Sequence, residues 1–459
     1  MKAIKTTAIV RTAALALLIS ATGISSTWAE DKTAPVQDAG ARPSALTLSL
    51  ARARELTLAK SAALRKAELA VNAASLTKRA QDFAALPTVT ATASGSTIYG
   101  STSSSSNGLS AAAEVSASAT VFDGGKNAAL SREYDLATEA ARQSLRSERI
   151  ALIGNADAAF FAVLEDEASA EAAAGDLEAA QISLKIAEAK VEAGALSKVD
   201  YLETASQTAS YQATLSRAQK TLSSARAQLA SLTGLPAFTE PEQIDFASYD
   251  GLLSKIAGLD DARLDKLVSD LVAMARTNSP SLSSYALSAS QARMNLAAAK
   301  SAYLPTIAAS AAQSFADKSA GLYPSGSITM SASLSLDFWL TKNAVEQAEV
   351  AMREEELNAG DQTVALDLEV SQAVYNWISS ALVIPSSAKA LEYAQSNYEN
   401  VLEKFKLSSV TASDLTTAAA LVSTDKEALI SARYTFLTNL STLRDLVGLE
   451  DEAKLLEVL

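Results

Sequence analysis

The chain of 459 residues contains no cysteine and no histidine. Without cysteine there is no disulfide, no thiolate metal site and no thiol nucleophile. The lipidated N-terminal cysteine of a lipoprotein is excluded on the same ground. Without histidine, the commonest general base and the commonest zinc ligand are missing. Aromatic residues make up only 5%, and much of the 48% apolar content is alanine. Alanine favours helix but adds little bulk, so thin, elongated helical packing is expected rather than a thick core. Beyond residue 29 there is no apolar run of the roughly 18 residues that a membrane-spanning helix needs.

The first residues carry the pattern of a secretory signal. Lys2, Lys5 and Arg11 form a basic start, Ala13 to Ser20 a short apolar stretch, and Thr27 to Ala29 a small-residue cleavage site. Residues 1–29 are therefore expected to be removed and 30–45 to form a flexible lead-in. Removal takes the formal net charge from −13 to −16. An acidic exported chain argues against nucleic acid as a partner.

The rest of the chain is a duplication. "LPTVTATASG" at Leu86 matches "LPTIAASAAQ" at Leu304, an offset of 218. Lys126-Asn127-Ala128 matches Lys342-Asn343-Ala344 at 216, and "KVEAGALSKVDYL" at Lys190 matches "KFKLSSVTASDLT" at Lys404 at 214. Repeat one covers 46–235 and repeat two 262–449, with a linker at 236–261 and a C-terminal tail at 450–459. Each repeat predicts a helix that a Leu-Pro step ends. A β-hairpin follows, at 87–122 and at 305–338, with polar loops expected over 99–108 and 317–326. Next comes a very long helix, at 126–193 and at 341–406, with Pro385 expected to kink the second. Each long helix spans roughly 100 Å at about 1.5 Å per residue. Tip turns at 194–199 and 407–413 then lead into return helices at 200–234 and 414–447.

The hairpins alternate. From Gly326 to Phe338 the apolar residues Ile328, Met330, Ala332, Leu334 and Leu336 alternate with Thr329, Ser331, Ser333 and Ser335. That is the period of a strand with two unlike faces. One solution is a small sheet packed on helices. The other is a barrel whose apolar face meets lipid and whose polar face lines water, since a membrane strand needs about 9–11 residues. Tyr99, Phe122, Tyr323, Phe338 and Trp339 lie at strand ends, where interfacial aromatic girdles sit. Four strands cannot close such a barrel, and an open edge in lipid is prohibitive, so several chains would have to share one.

The duplication, the two Leu-Pro breaks and the paired "GALSKVDYL" and "SSVTASDLT" turns together resemble the TolC family of outer-membrane efflux proteins. That resemblance implies a mainly helical fold with a membrane β-barrel. It implies a homotrimer in which 12 strands form one barrel in outer-membrane lipid, with long helices forming a periplasmic tunnel. It also implies a passive exit duct for efflux or type I secretion, with no catalytic site, cofactor or metal. Its partners would be a periplasmic adaptor and an inner-membrane pump of the RND or ABC type. The tips would be the periplasmic entrance, with Gly194, Ala195, Leu196, Ser197, Ser408, Ser409 and Thr411 as adaptor contacts. Asp414, Thr417 and Asp200 would line the gate. Thr417 stands where the family has a second acidic residue, and Ser408 stands where the first tip has the turn glycine Gly194 and tolerates a left-handed turn less well.

Two plainer readings stand beside this one. Ser197-x-x-Asp200 and Thr411-x-x-Asp414 fit a helix capping box. Glu165, Asp166, Glu167 and Glu171 read as a wet helix face, as do Glu354 to Glu356. The alternative for the whole chain is a periplasmic helical adaptor or structural protein without a barrel.

Overall fold

The computed structural model describes residues 47–97, 109–237, 239–318 and 321–457. The signal segment, the lead-in up to residue 46, Tyr99 and the polar loop of the first hairpin lie outside them. Tyr323 lies within a strand, but its side chain is not among those described.

Repeat one begins with α1 (Leu50–Lys60) and α2 (Ala62–Phe83). The helix expected over 46–84 is thus two. Ser61 breaks it with extended ψ, and its hydroxyl accepts the Leu64 amide to start the second. β1 (Thr88–Thr97) and β2 (Leu109–Phe122) follow, then α3 (Lys126–Glu192) and α4 (Lys198–Thr233). The linker holds a 3₁₀ turn, Phe246–Tyr249, and α5 (Asp250–Ala257). Repeat two has α6 (Asp261–Asn278) and α7 (Pro280–Lys300), again split by a serine, here with Pro280 at the first helical position. β3 (Thr306–Lys318), β4 (Gly321–Ser333), α8 (Phe338–Lys406) and α9 (Ala412–Val447) complete it. Pro385 lies inside α8, which is assigned as helix throughout.

The four strands form one antiparallel sheet in the order β1-β2-β3-β4. Register places Val89, Ala117, Ala311 and Ile328 in one cross-strand row. The adjacent row, on the opposite face, is Thr88, Ser118, Ser310 and Thr329. Two rows further along, the polar face holds Thr92, Glu114, Ser314 and Ser325. One side is therefore apolar and exposed, with Ile328 91% accessible, and the other carries mostly hydroxyls, with Glu114 among them.

Two expectations for the second hairpin need correction. The loop expected over 317–326 is mostly ladder, for Asp317 pairs with Leu322 and Lys318 with Gly321. The strand expected to reach Phe338 ends at Ser333, opposite Thr306. Pro305 precedes Thr306 and cannot donate a ladder hydrogen bond. Leu334 and Leu336 therefore lie in the strand-to-helix connection, and Phe338 and Trp339 open α8.

Helices follow strands. α2 packs on α3, α3 on α7 and α7 on α8, the same order as β1 to β4. Further from the sheet, α3 pairs with α4, and α8 with α9. Ion pairs Lys78–Asp135 (3.5 Å, α2 to α3) and Arg293–Glu356 (2.7 Å, α7 to α8) bridge these seams.

The apolar core sits midway along the helices. Trp377 stacks on Phe436 with ring centroids 6.0 Å apart. From the linker, Phe246 meets Tyr434 edge-on at 5.5 Å and Tyr249 meets Phe436 at 5.8 Å. Below these rings lies a buried ionic network. Arg444 reaches Asp157 at 2.5 Å, Asp445 at 2.5 Å and Glu452 at 3.1 Å. Arg54 binds the same Asp157 (2.5 Å) and Glu452 (2.5 Å), and the Ser441 hydroxyl donates to Asp157 (2.8 Å). Burial pushes the Asp445 carboxyl up to about 6, against the pull of Arg444. α3 approaches so closely that a Cβ at Gly154 would collide with the Asp445 carboxylate. The segment read as a tail holds Glu452 of this network and α10 (Ala453–Leu456), whose Leu455 is buried in the core.

The carboxylates read as a wet face are also corrected in part. Glu165, Asp166 and Glu167 are half-buried. Burial first, then a neighbouring carboxylate, raises Glu165 and Asp166 above the ordinary range. Glu167 pairs with Arg226 at 3.0 Å. They face other helices across the middle of the bundle, a neighbourhood that helical period alone does not supply.

Removing one partner of a fully buried pair strands the other charge. Arg444→Met is expected to destabilise the chain by about 3–5 kcal/mol in denaturant unfolding. The two sheet faces predict unequal tolerance. Ile328→Arg should block membrane assembly, at about 2–4 kcal/mol per chain if the residue meets the bilayer core, while Thr329→Arg should assemble. Heat-modifiable migration of the membrane fraction on a gel reads both.

Candidate functional site

The strongest constellation lies where the two helical hairpins turn. α3 ends at Glu192, and Gly194 adopts φ 71° before Ser197 caps α4. α8 ends at Lys406, and Ser408 adopts φ 59° before Thr411 caps α9. Ser408 is the one non-glycine residue with positive φ among the described residues. The left-handed turn is thus the same in both repeats, although an L side chain there is strained by about 1–2 kcal/mol. The Ser408 hydroxyl accepts from the Lys190 ammonium at 3.1 Å, which offsets part of that strain.

Lys190 joins the tips. Its ammonium donates to the Phe405 carbonyl and lies 4.2 Å from the Phe405 ring centre. It thereby covers the C-terminal carbonyls of α8 from the other hairpin, where a cation is favoured. Desolvation lowers its pKa. Beneath it, Ala187, Phe405, Ala412 and Leu415 form a small core on which Leu196, Tyr201 and Val410 pack. Leu196 is accordingly half-buried, whereas Gly194, Ala195, Ser197, Ser408, Ser409 and Thr411 are exposed.

The two aspartates cap helices. The Thr411 hydroxyl accepts the Asp414 amide (3.2 Å), and the Asp414 carboxylate accepts the Thr411 amide (2.9 Å) and hydroxyl (2.8 Å). That is a reciprocal capping box. Its two hydrogen bonds, the backbone one first, hold the Asp414 carboxyl below the usual carboxylate range. At the other tip the Ser197 hydroxyl accepts the Asp200 amide at 3.1 Å and donates to the Asp200 carboxylate at 2.8 Å. Asp414 and Thr417 are exposed and one helical turn apart, so capping leaves them open to solvent. The Thr417 hydroxyl donates to the Ser413 carbonyl.

Above the tips, a cleft of about 400 Å³ opens among α3, α4, α8 and α9. Asp176, Tyr211, Tyr398, Glu399 and Lys426 line it, and the Lys426–Asp176 ion pair (2.7 Å) ties the hairpins a second time. Sequence reading missed both ties, because each joins residues more than 200 positions apart. It also missed Val199, Leu202 and Leu407, which are 74%, 54% and 77% accessible at the tips. An apolar residue inside a predicted tip turn was the available signal. Among the described residues no cluster of acidic side chains is arranged to hold a metal ion, and no helix is long and apolar enough to cross a membrane.

A single amphipathic sheet, two repeats and long paired hairpins define a class of outer-membrane channel. The family model for outer membrane efflux proteins matches residues 53–235 and 271–449. The chain belongs to that family, as the resemblance to TolC-like proteins implies. The fold is shared with crystal structures of CusC (TM-score 0.79, 17% identity, 90% of this chain and 95% of that one). It is shared also with the Campylobacter jejuni CmeC outer membrane channel (0.75, 15%, 89% and 88%). A third similar fold is the outer membrane protein VceC of Vibrio cholerae (0.72, 15%, 87% and 96%). A search of curated protein sequences finds no match.

The cap makes a measurable prediction. A depressed carboxyl pKa means that the Asp414 contribution is present above the ordinary carboxylate value near 3.9. It is lost as pH falls through the lower folded-state value. Thr411→Val removes the hydroxyl and should cost about 1 kcal/mol. Amide exchange at Ser413, Asp414 and Leu415 should quicken in that variant at neutral pH.

Proposed function

We propose that this chain is the outer-membrane exit duct of a tripartite export system. Three copies pool their four-stranded sheets into one 12-stranded barrel in outer-membrane lipid. Their hairpins form a helical tunnel through the periplasm, and the duct is passive, driven by an inner-membrane pump of the RND or ABC type. The observation that carries this is the sheet: its apolar face is uncovered, its opposite face carries mostly hydroxyls, and among the described residues no further strand pairs with the outer side of β1 or β4. In lipid such edges must be closed.

The tips are the entrance and the adaptor-docking surface. Ser197, Ser409 and Thr411 offer polar side chains, and Gly194 and Ala195 an exposed turn. Val199 and Leu407 offer apolar anchors, the kind of uncovered side chain that marks an interaction site. Asp414 and Thr417 of three chains face the axis, with Asp200 at the outer tip. Convergence of three carboxylates raises their pKa by mutual repulsion and attracts cations, opposing the lowering that the cap produces within one chain.

Membrane fractionation followed by planar-bilayer recording tests the duct. A trimer in the outer membrane with ohmic conductance is expected, and a soluble periplasmic monomer would overturn the reading. In the recordings Asp414→Ala should raise conductance and weaken block by divalent cations. Unchanged conductance and block would remove Asp414 from the gate.

A further inference from the structure

We propose that the cleft between the two helical hairpins is a binding site for a small aromatic cation, an amine or quaternary ammonium carried on a flat ring system. α3, α4, α8 and α9 of a single chain build it. The site therefore stands or falls independently of how copies assemble.

The cleft exists because small side chains stand where the four helices face one another. Ala179 on α3 and Ala419 on α9 line it, and about 400 Å³ is left unfilled. Packed helix seams leave few gaps larger than a water molecule. This one falls within the size range of small-molecule sites. Polar side chains from three of the helices and a tyrosine from the fourth converge on it: Asp176, Tyr211, Gln395, Tyr398, Glu399 and Lys426.

Tyr211 is the first pointer to a ligand. The residue is only 7% accessible, and its hydroxyl is buried with no hydrogen-bond partner. Buried polar groups nearly always have one. Gln207, one turn earlier on α4, acts on the Tyr211 pKa but does not satisfy the hydroxyl. Asp176 and Tyr398, both on the cleft wall, act on it as well. Burial raises the Tyr211 pKa, so the hydroxyl stays neutral and is free to donate or accept. Its ring is held by Leu177 and Ala180 of α3. The Tyr398 ring packs on the core of the tips. Both aromatic walls are thus fixed before a ligand arrives, which lowers the entropic cost of binding.

Charge selects the ligand. Lys426 and Asp176 pair at 2.7 Å and cancel. Glu399 is exposed on the same cleft and makes no ion pair or hydrogen bond among the described residues. One negative charge is left unbalanced beside two tyrosines. A cation is drawn to the face of a tyrosine ring by the ring quadrupole, and Glu399 supplies its counter-charge. An anion in the same place meets like charge. The ligand would touch Tyr211 from the first repeat and Tyr398 and Glu399 from the second. Occupancy therefore adds a link between the hairpins beside the Lys426–Asp176 pair.

Thioflavin T is a suitable probe, a flat cation that brightens when its two rings are held rigid. Titrated into the purified full chain in detergent at low salt, it should bind saturably at one site per chain. Benzyltrimethylammonium should displace it, and benzenesulfonate, with the same ring and the opposite charge, should not. Glu399→Gln should weaken binding about tenfold through loss of the counter-charge. Tyr211→Phe removes an atom that has no partner in the free protein, so the melting temperature should hold while binding weakens several-fold. Glu403→Gln, one helical turn nearer the tip and outside the cleft, should bind like the parent. Equal weakening by Glu403→Gln and Glu399→Gln would reduce the binding to diffuse attraction by acidic helices and overturn the site. Displacement by benzenesulfonate, binding untouched by both cleft variants, or no saturable binding would overturn it too.

Discussion

An unpaired strand edge cannot be left in hydrocarbon. That constraint organises everything described here. The four strands form a sheet with one greasy face, one hydroxyl face and two bare edges. Such a sheet is incomplete in water, where the greasy face is uncovered, and incomplete in lipid, where the edges are. The closure with further copies proposed above would satisfy both. α2, α3, α7 and α8 inherit the consequence, since each adjoins a strand and their order follows that of the strands.

The mid-section answers a different need. Alanine-rich helices bury little per residue, so the sheet end and the tips contribute thin contacts. The stabilising mass is gathered where the linker adds Phe246 and Tyr249 to Trp377 and Phe436. The ionic network beside it is costly to desolvate. It joins α1, α3, α9 and the C-terminal segment at one level of the bundle.

Much of the architecture was legible in the sequence because it rests on local chemistry and on duplication. Leu-Pro steps end helices, alternation marks strands, and Ser197 and Thr411 announce helix starts. What was not legible depends on distant partners. The Ser61 break reads as ordinary helix because serine is only a weak signal inside one. The end of β4 at Ser333 is set by where β3 begins, not by its own alternation through Leu334 and Leu336. At the tips, the left-handed turn was expected to be harder for Ser408 than for Gly194. The structure keeps the turn, helped by Lys190 from the other hairpin. Leu196 looked like a free contact residue because its packing partners, Phe405 and Leu415, lie in the other repeat.

The buried network has a bearing on how the two repeats become one molecule. Its members run from Arg54 near the start to Glu452 near the end. Neither repeat holds the whole network, since Arg54 and Asp157 belong to the first and Arg444 to the second. The final residues, through Glu452, are the stitch that joins two similar halves into one subunit.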